Sequence, residues 1–262
     1  MMWLKQLLGI FLLVGTLCSQ KILIPMDETQ TDHLKAYGVA FWVLERDIDI
    51  EWLLNYRGGS FLIDNYSDIV RELRLRDVKF ETAPPGAEIN IYATIEANNM
   101  DIVLLEKAPK VAVYSPPGKQ PWDDAVTLAL EYAEVEYEVI WDAEVLDGKL
   151  SDYDWLHLHH EDFTGQYGKF YRNYRNAAWY RKQQIEYEAF ATLRGYSSVS
   201  EEKKAVARRI RDYVFNGGFL FAMCSATDAL DIALSAEGVD IVATPYDHDP
   251  VDPHAQSKLA FG

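Results

Sequence analysis

The stretch NGGFLFAMCSATDALD, residues 216–231, decides the fold class of this chain. Its glycine pair marks the end of a helix, and the short apolar run at residues 219–223 is typical of a buried parallel strand. Small residues follow Cys224, and Thr227 with its neighbouring aspartate is a suitable cap for a new helix. We therefore expect Cys224 on a tight strand-to-helix turn, the geometry that holds the serine of G-x-S-x-G hydrolases.

The thiol of Cys224 has two interpretations at this point. A helix N-terminus carries a partial positive charge, which favours the reactive thiolate form of a cysteine placed there. Free cysteine is also among the most buried residue types, so the alternative is an inert thiol that only packs. The local pattern leaves both open.

Beyond residue 109 the sequence alternates between short apolar strands and helices. Strands are predicted at residues 110–115, 137–141, 155–158, 219–223 and 239–243, and helices at 122–133, over much of 170–215, and at 226–234. This order predicts a parallel sheet with right-handed crossovers, in which ligands bind at the carboxyl ends of the strands. Ser115, His159 and Cys224 all lie at such ends.

Residues 20–108 predict a separate, small α+β unit with no motif of its own. We expect a strand at 21–27, a helix at 31–42, a turn at 57–60, a helix at 67–75 and a strand at 78–80, with residues 88–100 left undecided. The boundary with the α/β alternation falls near residues 107–109.

Residues 1–19 predict a secretory signal peptide. Lys5 precedes an apolar segment at 7–17 that is too short for a comfortable membrane span, and small residues follow it. Leu17 before Cys18 does not fit a bacterial lipobox, so soluble export to the periplasm or the medium is favoured over lipidation. The mature chain then keeps only Cys224, which excludes a disulfide framework.

The bulk composition limits the class of partner. The chain has 262 residues and a formal net charge of −16, which argues against a broad nucleic-acid or anionic-membrane surface. We expect a small-molecule, glycan or peptide ligand, and no membrane association after signal cleavage. The oligomeric state stays open.

Three segments carry a resemblance to a known family: KVAVYSP at 110–116, YDWLHLHHEDFTG at 153–165, and the stretch at 216–231. Together they resemble a class I glutamine amidotransferase-like domain, in the flavodoxin-like group that also includes ThuA-like proteins. The resemblance covers about residues 109–262 and implies a three-layer α/β fold with a parallel sheet, preceded by the small α+β unit.

The same resemblance implies roles for individual residues. Cys224 corresponds to the nucleophile that forms a thioester, and the candidate partners are His159, His160 and Glu161. The residues expected to contact substrate are Ser115, Thr164, Gly165 and Ser225, the last through its backbone N–H near the oxyanion.

This sequence departs from the family pattern in three places. Alanines 222 and 226 replace the glycines of the G-x-C-x-G elbow, and the glycine-rich oxyanion loop is replaced by residues 159–165. The family's catalytic histidine normally follows a later strand, which leaves open that the domain is truncated at its C-terminus.

Segments at 21–38, 53–61 and 158–171 also resemble a family of exported bacterial proteins that often carry the label asparagine synthetase B. The residues do not support that chemistry. Met2 stands where an N-terminal catalytic cysteine is needed, and no SGGxDS-type pyrophosphate loop is present.

Two alternatives to a cysteine-dependent hydrolase or amidase remain. One is a non-catalytic carbohydrate- or peptide-binding domain in which Cys224 is a relic. The other is a metal-dependent site within residues 157–162, where three histidines and two carboxylates occur and His157 and His159 are expected on one strand face. Because this spacing matches no known metal motif, no metal or cofactor is predicted.

Overall fold

A computed structural model describes residues 20–117, 125–166 and 171–261. The predicted signal peptide and the start of the predicted helix at 122–133 lie outside these residues. The chain divides into two compact units, residues 1–108 and 109–262. Among the described helices, none combines the length and apolar character that a membrane span requires.

The N-terminal unit is built on a five-stranded antiparallel sheet with strand order β4-β1-β3-β2-β5. Its strands are β1 (Lys21–Ile24), β2 (Ile50–Leu54), β3 (Ser60–Asp64), β4 (Glu81–Ala83) and β5 (Asp101–Leu105). Its helices are α1 (His33–Leu44), α2 (Ser67–Leu75) and α3 (Ala87–Ala97), with a 3-10 turn at Tyr56–Gly58. The predicted helix at 67–75 is confirmed, and the undecided segment at 88–100 is mostly helix α3.

Both faces of this sheet are buried, which explains the continuous apolar sequence of β1. Side chains alternate across a strand, so Ile22 and Ile24 share one core with α1 and α2, whereas Leu23 lies in another. That second core contains Ile91 and Ile95 of α3.

The strand predicted at residues 78–80 is wrong, because strand β4 begins at Glu81. The buried amide of Gln30 takes the backbone groups of Lys79 instead: its Nε2 donates to Lys79 O at 3.1 Å and its Oε1 accepts from Lys79 N at 3.1 Å. The side chain thus supplies bonds that a neighbouring strand would otherwise make.

The C-terminal unit is built on a four-stranded parallel sheet with strand order β7-β6-β8-β9. Its strands are β6 (Val111–Tyr114), β7 (Tyr137–Ile140), β8 (Trp155–Leu158) and β9 (Phe219–Ala222). Its helices are α4 (Ala125–Ala133), α5 (Asp142–Leu146), α6 (Tyr171–Tyr174), α7 (Ala178–Leu193), α8 (Val199–Phe215), α9 (Ser225–Ser235), α10 (Thr244–Asp247) and α11 (Ala255–Lys258), with a 3-10 turn at Lys149–Asp152. The expected mixed α/β class with a parallel sheet is therefore confirmed.

Helices α8 and α9 pack on the sheet beside the strand ends that matter for function. Leu156 and Leu158 of β8 share a buried core with Val206 and Ile210 of α8 and with Ala226 of α9. This packing fixes the position of the β9–α9 junction relative to the end of β8.

The fifth strand predicted at residues 239–243 is wrong, because the structure has no strand there. Val239 and Val242 are buried, which explains the apolar pattern. Their backbone groups are used by the loop itself: Val239 O accepts from Lys204 Nζ at 2.8 Å, and Val242 N donates to the side chain of Asp240 at 2.9 Å. Burial without a neighbouring strand gives the same sequence signal as a strand.

Candidate functional site

Cys224 lies on the turn between the end of β9 and the start of α9. Met223 N still donates to Leu158 O at 3.1 Å, so the sheet pairing continues up to the cysteine, and the helix begins at Ser225. The hydroxyl of Thr227 donates to Cys224 O at 2.9 Å. The side chain is exposed, so the alternative of a buried Cys224 that only packs is wrong, whereas the reactivity of its thiol stays a prediction.

The backbone of Cys224 is strained. Its φ of 54° and ψ of −137° lie in a region that residues with a Cβ rarely adopt. Such conformations cost on the order of 1–3 kcal/mol and persist only where the surroundings impose them, commonly at active sites. The same strain is characteristic of the nucleophile elbow, where it holds the reactive side chain clear of the sheet.

His159 and His160 bring their imidazole rings to the thiol. They follow β8, the strand that pairs with β9. One ring nitrogen of each histidine and the Sγ of Cys224 all lie within 4.8 Å of one another. The two rings stack with centroids 3.6 Å apart and planes at 27°. Both histidines are half-buried, whereas the thiol faces solvent.

The backbone of the two histidines is tied directly to the first turn of α9. Ala226 N donates to His159 O at 3.3 Å, and Ser225 Oγ donates to His160 O at 3.2 Å. These bonds join the segment after β8 to the segment after β9. The sequence-predicted residues His159, His160, Cys224 and Ser225 are thereby brought together in one site.

The loop after the histidines is held by its own carboxylates. Glu161 accepts a bond from the backbone N–H of His159 at 2.6 Å. Asp162 accepts from both the N–H and the hydroxyl of Thr164, at 2.9 and 2.6 Å. Glu161 therefore orients the backbone of a histidine that faces the thiol.

The other predicted substrate-binding residues are buried. Ser115 donates its N–H to Ile140 O at 3.0 Å, which extends the pairing of β6 and β7. Thr164 is buried as well. Gly165 packs at the start of α8: it has φ +79°, and a Cβ there would lie 2.6 Å from the Cα of Ser200. Close packing therefore explains this glycine, and substrate contact by these three residues stays a prediction.

His157 borders the thiol cluster but is not among the three residues whose ligand atoms converge there. It is buried, and its ring stacks on Phe221 with centroids 5.5 Å apart. The rings of His157 and His159 lie 6.4 Å apart, in agreement with the expectation that these two residues share a face. The expectation that His160 points away is wrong, because β8 ends at Leu158 and strand alternation stops there. The rings that stack are those of His159 and His160.

A buried ion pair in the same unit was missed by the sequence reasoning. Lys203 Nζ donates to Asp142 Oδ2 at 2.6 Å and to the hydroxyl of Tyr114 at 3.1 Å, and that hydroxyl donates to Asp142. Burial is the largest single effect and lowers the pKa of Lys203, but the charges of Asp142 and Glu202 and the bond to Asp142 together outweigh it, so the pKa is raised overall. Burial, followed by the charge of Asp142, raises the pKa of Tyr114 well above its usual value.

Glu202 is a second buried charge beside this pair. Burial raises its pKa to about 7, an effect that Lys203 opposes and Asp142 reinforces. Its Oε1 has no hydrogen-bond partner among the described residues. Residues 202 and 203 precede Val206 and Ile210 at helical spacing, so charges on the apolar stripe of α8 are the sequence signal that would have identified both.

No known protein family, curated protein or solved structure matches this chain. The distinguishing feature of the chain is the site itself: a strained, exposed thiol at a helix N-terminus with two imidazoles beside it.

Proposed function

We propose that this protein is a glutamine amidotransferase-like hydrolase with a flavodoxin-like C-terminal domain, which cleaves an amide or related acyl bond through Cys224. One observation carries the proposal: Cys224 has a strained elbow backbone at the start of α9, and ring nitrogens of His159 and His160 lie within 4.8 Å of its Sγ. A nucleophile with an adjacent base, held by a third group, is the arrangement that covalent catalysis needs.

The reaction follows from these positions. One imidazole takes the thiol proton, and the Sγ of Cys224 attacks the carbonyl carbon of the substrate to form a C–S bond. The C–N bond then breaks, and the imidazolium gives its proton to the leaving amine, which leaves a thioester on the enzyme. The imidazole next takes a proton from water, and the hydroxide attacks the carbonyl carbon of the thioester. The C–S bond breaks, and the imidazolium returns its proton to the sulfur, which releases a carboxylic acid and restores the thiol.

The first turn of α9 supplies the environment for the negative charge that develops on the carbonyl oxygen. The Ser225 N–H belongs to the orphan donors of a helix N-terminus, and the helix dipole favours an anion there. Ala226 is fully buried in the core beneath α9. Its methyl group therefore does not occupy the space in front of the thiol, so this departure from the family's glycine leaves the elbow open.

The position of the thiol fits a substrate that arrives from solvent. Cys224 and Ser225 are exposed, whereas the histidines behind them are half-buried. A small molecule, or the acyl group of a glycan or peptide, is the substrate class in this proposal. Export to the periplasm or medium belongs to the proposal as well, and places this thiol in an oxidising compartment.

The test is an acyl-transfer experiment on the mature chain, residues 20–262, kept reduced and free of metal. p-Nitrophenyl acetate is the probe, and intact-mass spectrometry follows the enzyme. We expect a burst of nitrophenol with one acetyl group on Cys224, and loss of both in Cys224→Ser. Replacing His159 and His160 in turn by asparagine identifies the base, because loss of the base slows acylation by about 100-fold or more.

Exposed His254 offers a matched control, since His254→Asn changes a histidine outside the site. Alkylation by iodoacetamide gives a second readout that needs no substrate, and we expect it to be about tenfold faster than that of glutathione at pH 7. Acetylation that persists in Cys224→Ser, or a thiol as slow as glutathione and never acylated, would refute the proposal in favour of a binding domain.

A further inference from the structure

We infer that His159, His160 and Cys224 form a binding site for Zn²⁺ with three protein ligands and an open fourth position. The inference uses the residues of the proposed hydrolase but does not depend on that activity. It also differs from a site within residues 157–162, because the third ligand comes from the other strand end.

The distances between the ligand atoms are close to those of a zinc site. The two ring nitrogens and the Sγ lie within 4.8 Å of one another. In a tetrahedral site with Zn–N of about 2.0–2.1 Å and Zn–S of about 2.3 Å, ligand atoms are about 3.4–3.6 Å apart. The ligand atoms therefore have to close by at most about 1.4 Å, through side-chain rotations that also unstack the two imidazoles.

The types of ligand select the metal. Imidazole nitrogen and thiolate sulfur suit Zn²⁺ and related transition metals, whereas Mg²⁺ and Ca²⁺ require oxygen ligands. Three protein ligands with one position left to water is the composition of zinc sites that remain accessible. The exposed Cys224 provides the entry path, and the half-buried histidines form the inner wall.

The backbone around the ligands is already fixed. Ala226 N bonds to His159 O, Ser225 Oγ bonds to His160 O, and Glu161 accepts from His159 N. The two chain segments that supply ligands are thus joined before any metal binds. A preformed arrangement of this kind reduces the ordering that binding requires.

Binding has two structural consequences. A metal lies in the plane of each imidazole that coordinates it, so the rings of His159 and His160, now stacked 3.6 Å apart, rotate out of their stack. The thiol loses its proton to solvent, and its sulfur lone pair goes to the metal. Zinc at this site therefore protects Cys224 from alkylation and blocks it as a nucleophile.

The test is a metal titration of the reduced, metal-stripped mature chain. Equilibrium dialysis with Zn²⁺ measures affinity and stoichiometry, and Co²⁺ serves as a spectroscopic probe, because a cobalt–thiolate bond gives a charge-transfer band in the near ultraviolet. We expect about one Zn²⁺ per chain, an intense Co²⁺ band, and protection from iodoacetamide by Zn²⁺ but not by Mg²⁺.

Variants separate this site from binding elsewhere. Cys224→Ser should abolish the band, and His159→Asn and His160→Asn should each weaken Zn²⁺ binding by about 100-fold or more, since loss of a ligand costs at least as much as loss of its outer support. His254→Asn should bind like the unmodified chain. Circular dichroism checks that every variant is folded.

The outcomes distinguish the two proposals. Zinc binding that persists unchanged in Cys224→Ser, or a Co²⁺ complex without the thiolate band, overturns the metal site whatever the acylation experiment shows. Zinc binding with the expected stoichiometry and Co²⁺ band, in a chain that is never acylated, supports the zinc inference and refutes the hydrolase proposal.

Discussion

The buried pair of Lys203 and Asp142 permits a quantitative prediction on stability. Both side chains are 3% exposed, and the pair is completed by the hydroxyl of Tyr114. Lys203→Met fills a similar volume with an apolar chain but leaves the carboxylate of Asp142 buried without its cation. Breaking a buried pair in this way costs about 3–5 kcal/mol of the free energy of unfolding.

That loss corresponds to a Tm lowered by about 6–20 °C for a chain of this size. Urea unfolding at pH 7 measures it, followed by tryptophan fluorescence because the ring of Trp141 lies 3.9 Å from Lys203 Nζ. Lys182→Met is the matched control: Lys182 pairs with Glu186 at 3.5 Å on an exposed face of α7, and we expect a change below about 0.5 kcal/mol.

A second variant tests the cause. Adding Asp142→Asn to Lys203→Met removes the uncompensated charge, while the amide oxygen still accepts the hydroxyl of Tyr114. We expect at least half of the lost stability to return, because replacing both members of a buried pair is often close to neutral. A single variant as stable as the control, or a double variant that recovers nothing, would contradict the electrostatic account.

Three other predictions concern the same unit. Because the pKa of Glu202 is raised to about 7, its neutral form stabilises the fold below pH 4.5, and this contribution is lost as pH rises to about 7. Between pH 5 and pH 8 the free energy of unfolding of Glu202→Gln should therefore rise by about 2–3 kcal/mol relative to that of the unmodified chain, as measured by paired urea curves. Cys224→Gly should be about 1 kcal/mol more stable than Cys224→Ala by thermal unfolding, since only glycine relieves the positive φ; equal stability would disprove the strain. Gly165→Ala should lower Tm by much more than Gly195→Ala does, because both glycines have positive φ but only Gly165 has backbone atoms of another residue within 3 Å of the added methyl group. Similar losses of Tm in the two variants would exclude the clash with Ser200.

The parts of the fold that follow from local pattern were predictable. The apolar run before Cys224, bounded by glycines and small residues, identified strand β9 and the start of α9, but the expected burial of this strand is wrong, since Phe219 and Phe221 are exposed. The helix at 67–75 was also found, although its N-cap is Tyr66, which makes no side-chain capping bond. The parts that depend on distant partners were not. Residues 239–243 and 78–80 carry strand-like sequences, but a lysine side chain and a glutamine amide take their backbone bonds.

In the candidate site, too, the features that follow from local sequence were predictable and those that depend on tertiary contacts were not. Cys224 and the histidines were predicted because each stands at a strand end, which sequence order alone reveals. The stacking of His159 on His160 was not, since alternation ends with the strand at Leu158. The burial of Lys203 requires a tertiary partner, Asp142, that lies far away in the sequence.

The pairing of β8 with β9 also determines when the site can form during folding. Residues 159–218 separate the two strands, and closing a loop of that length costs about 4 kcal/mol of chain entropy before any contact is gained. Cys224 meets its imidazole neighbours only when this loop has closed. An unfolded chain therefore keeps Cys224 away from both histidines, and the chemistry proposed for this thiol requires the pairing of β8 with β9.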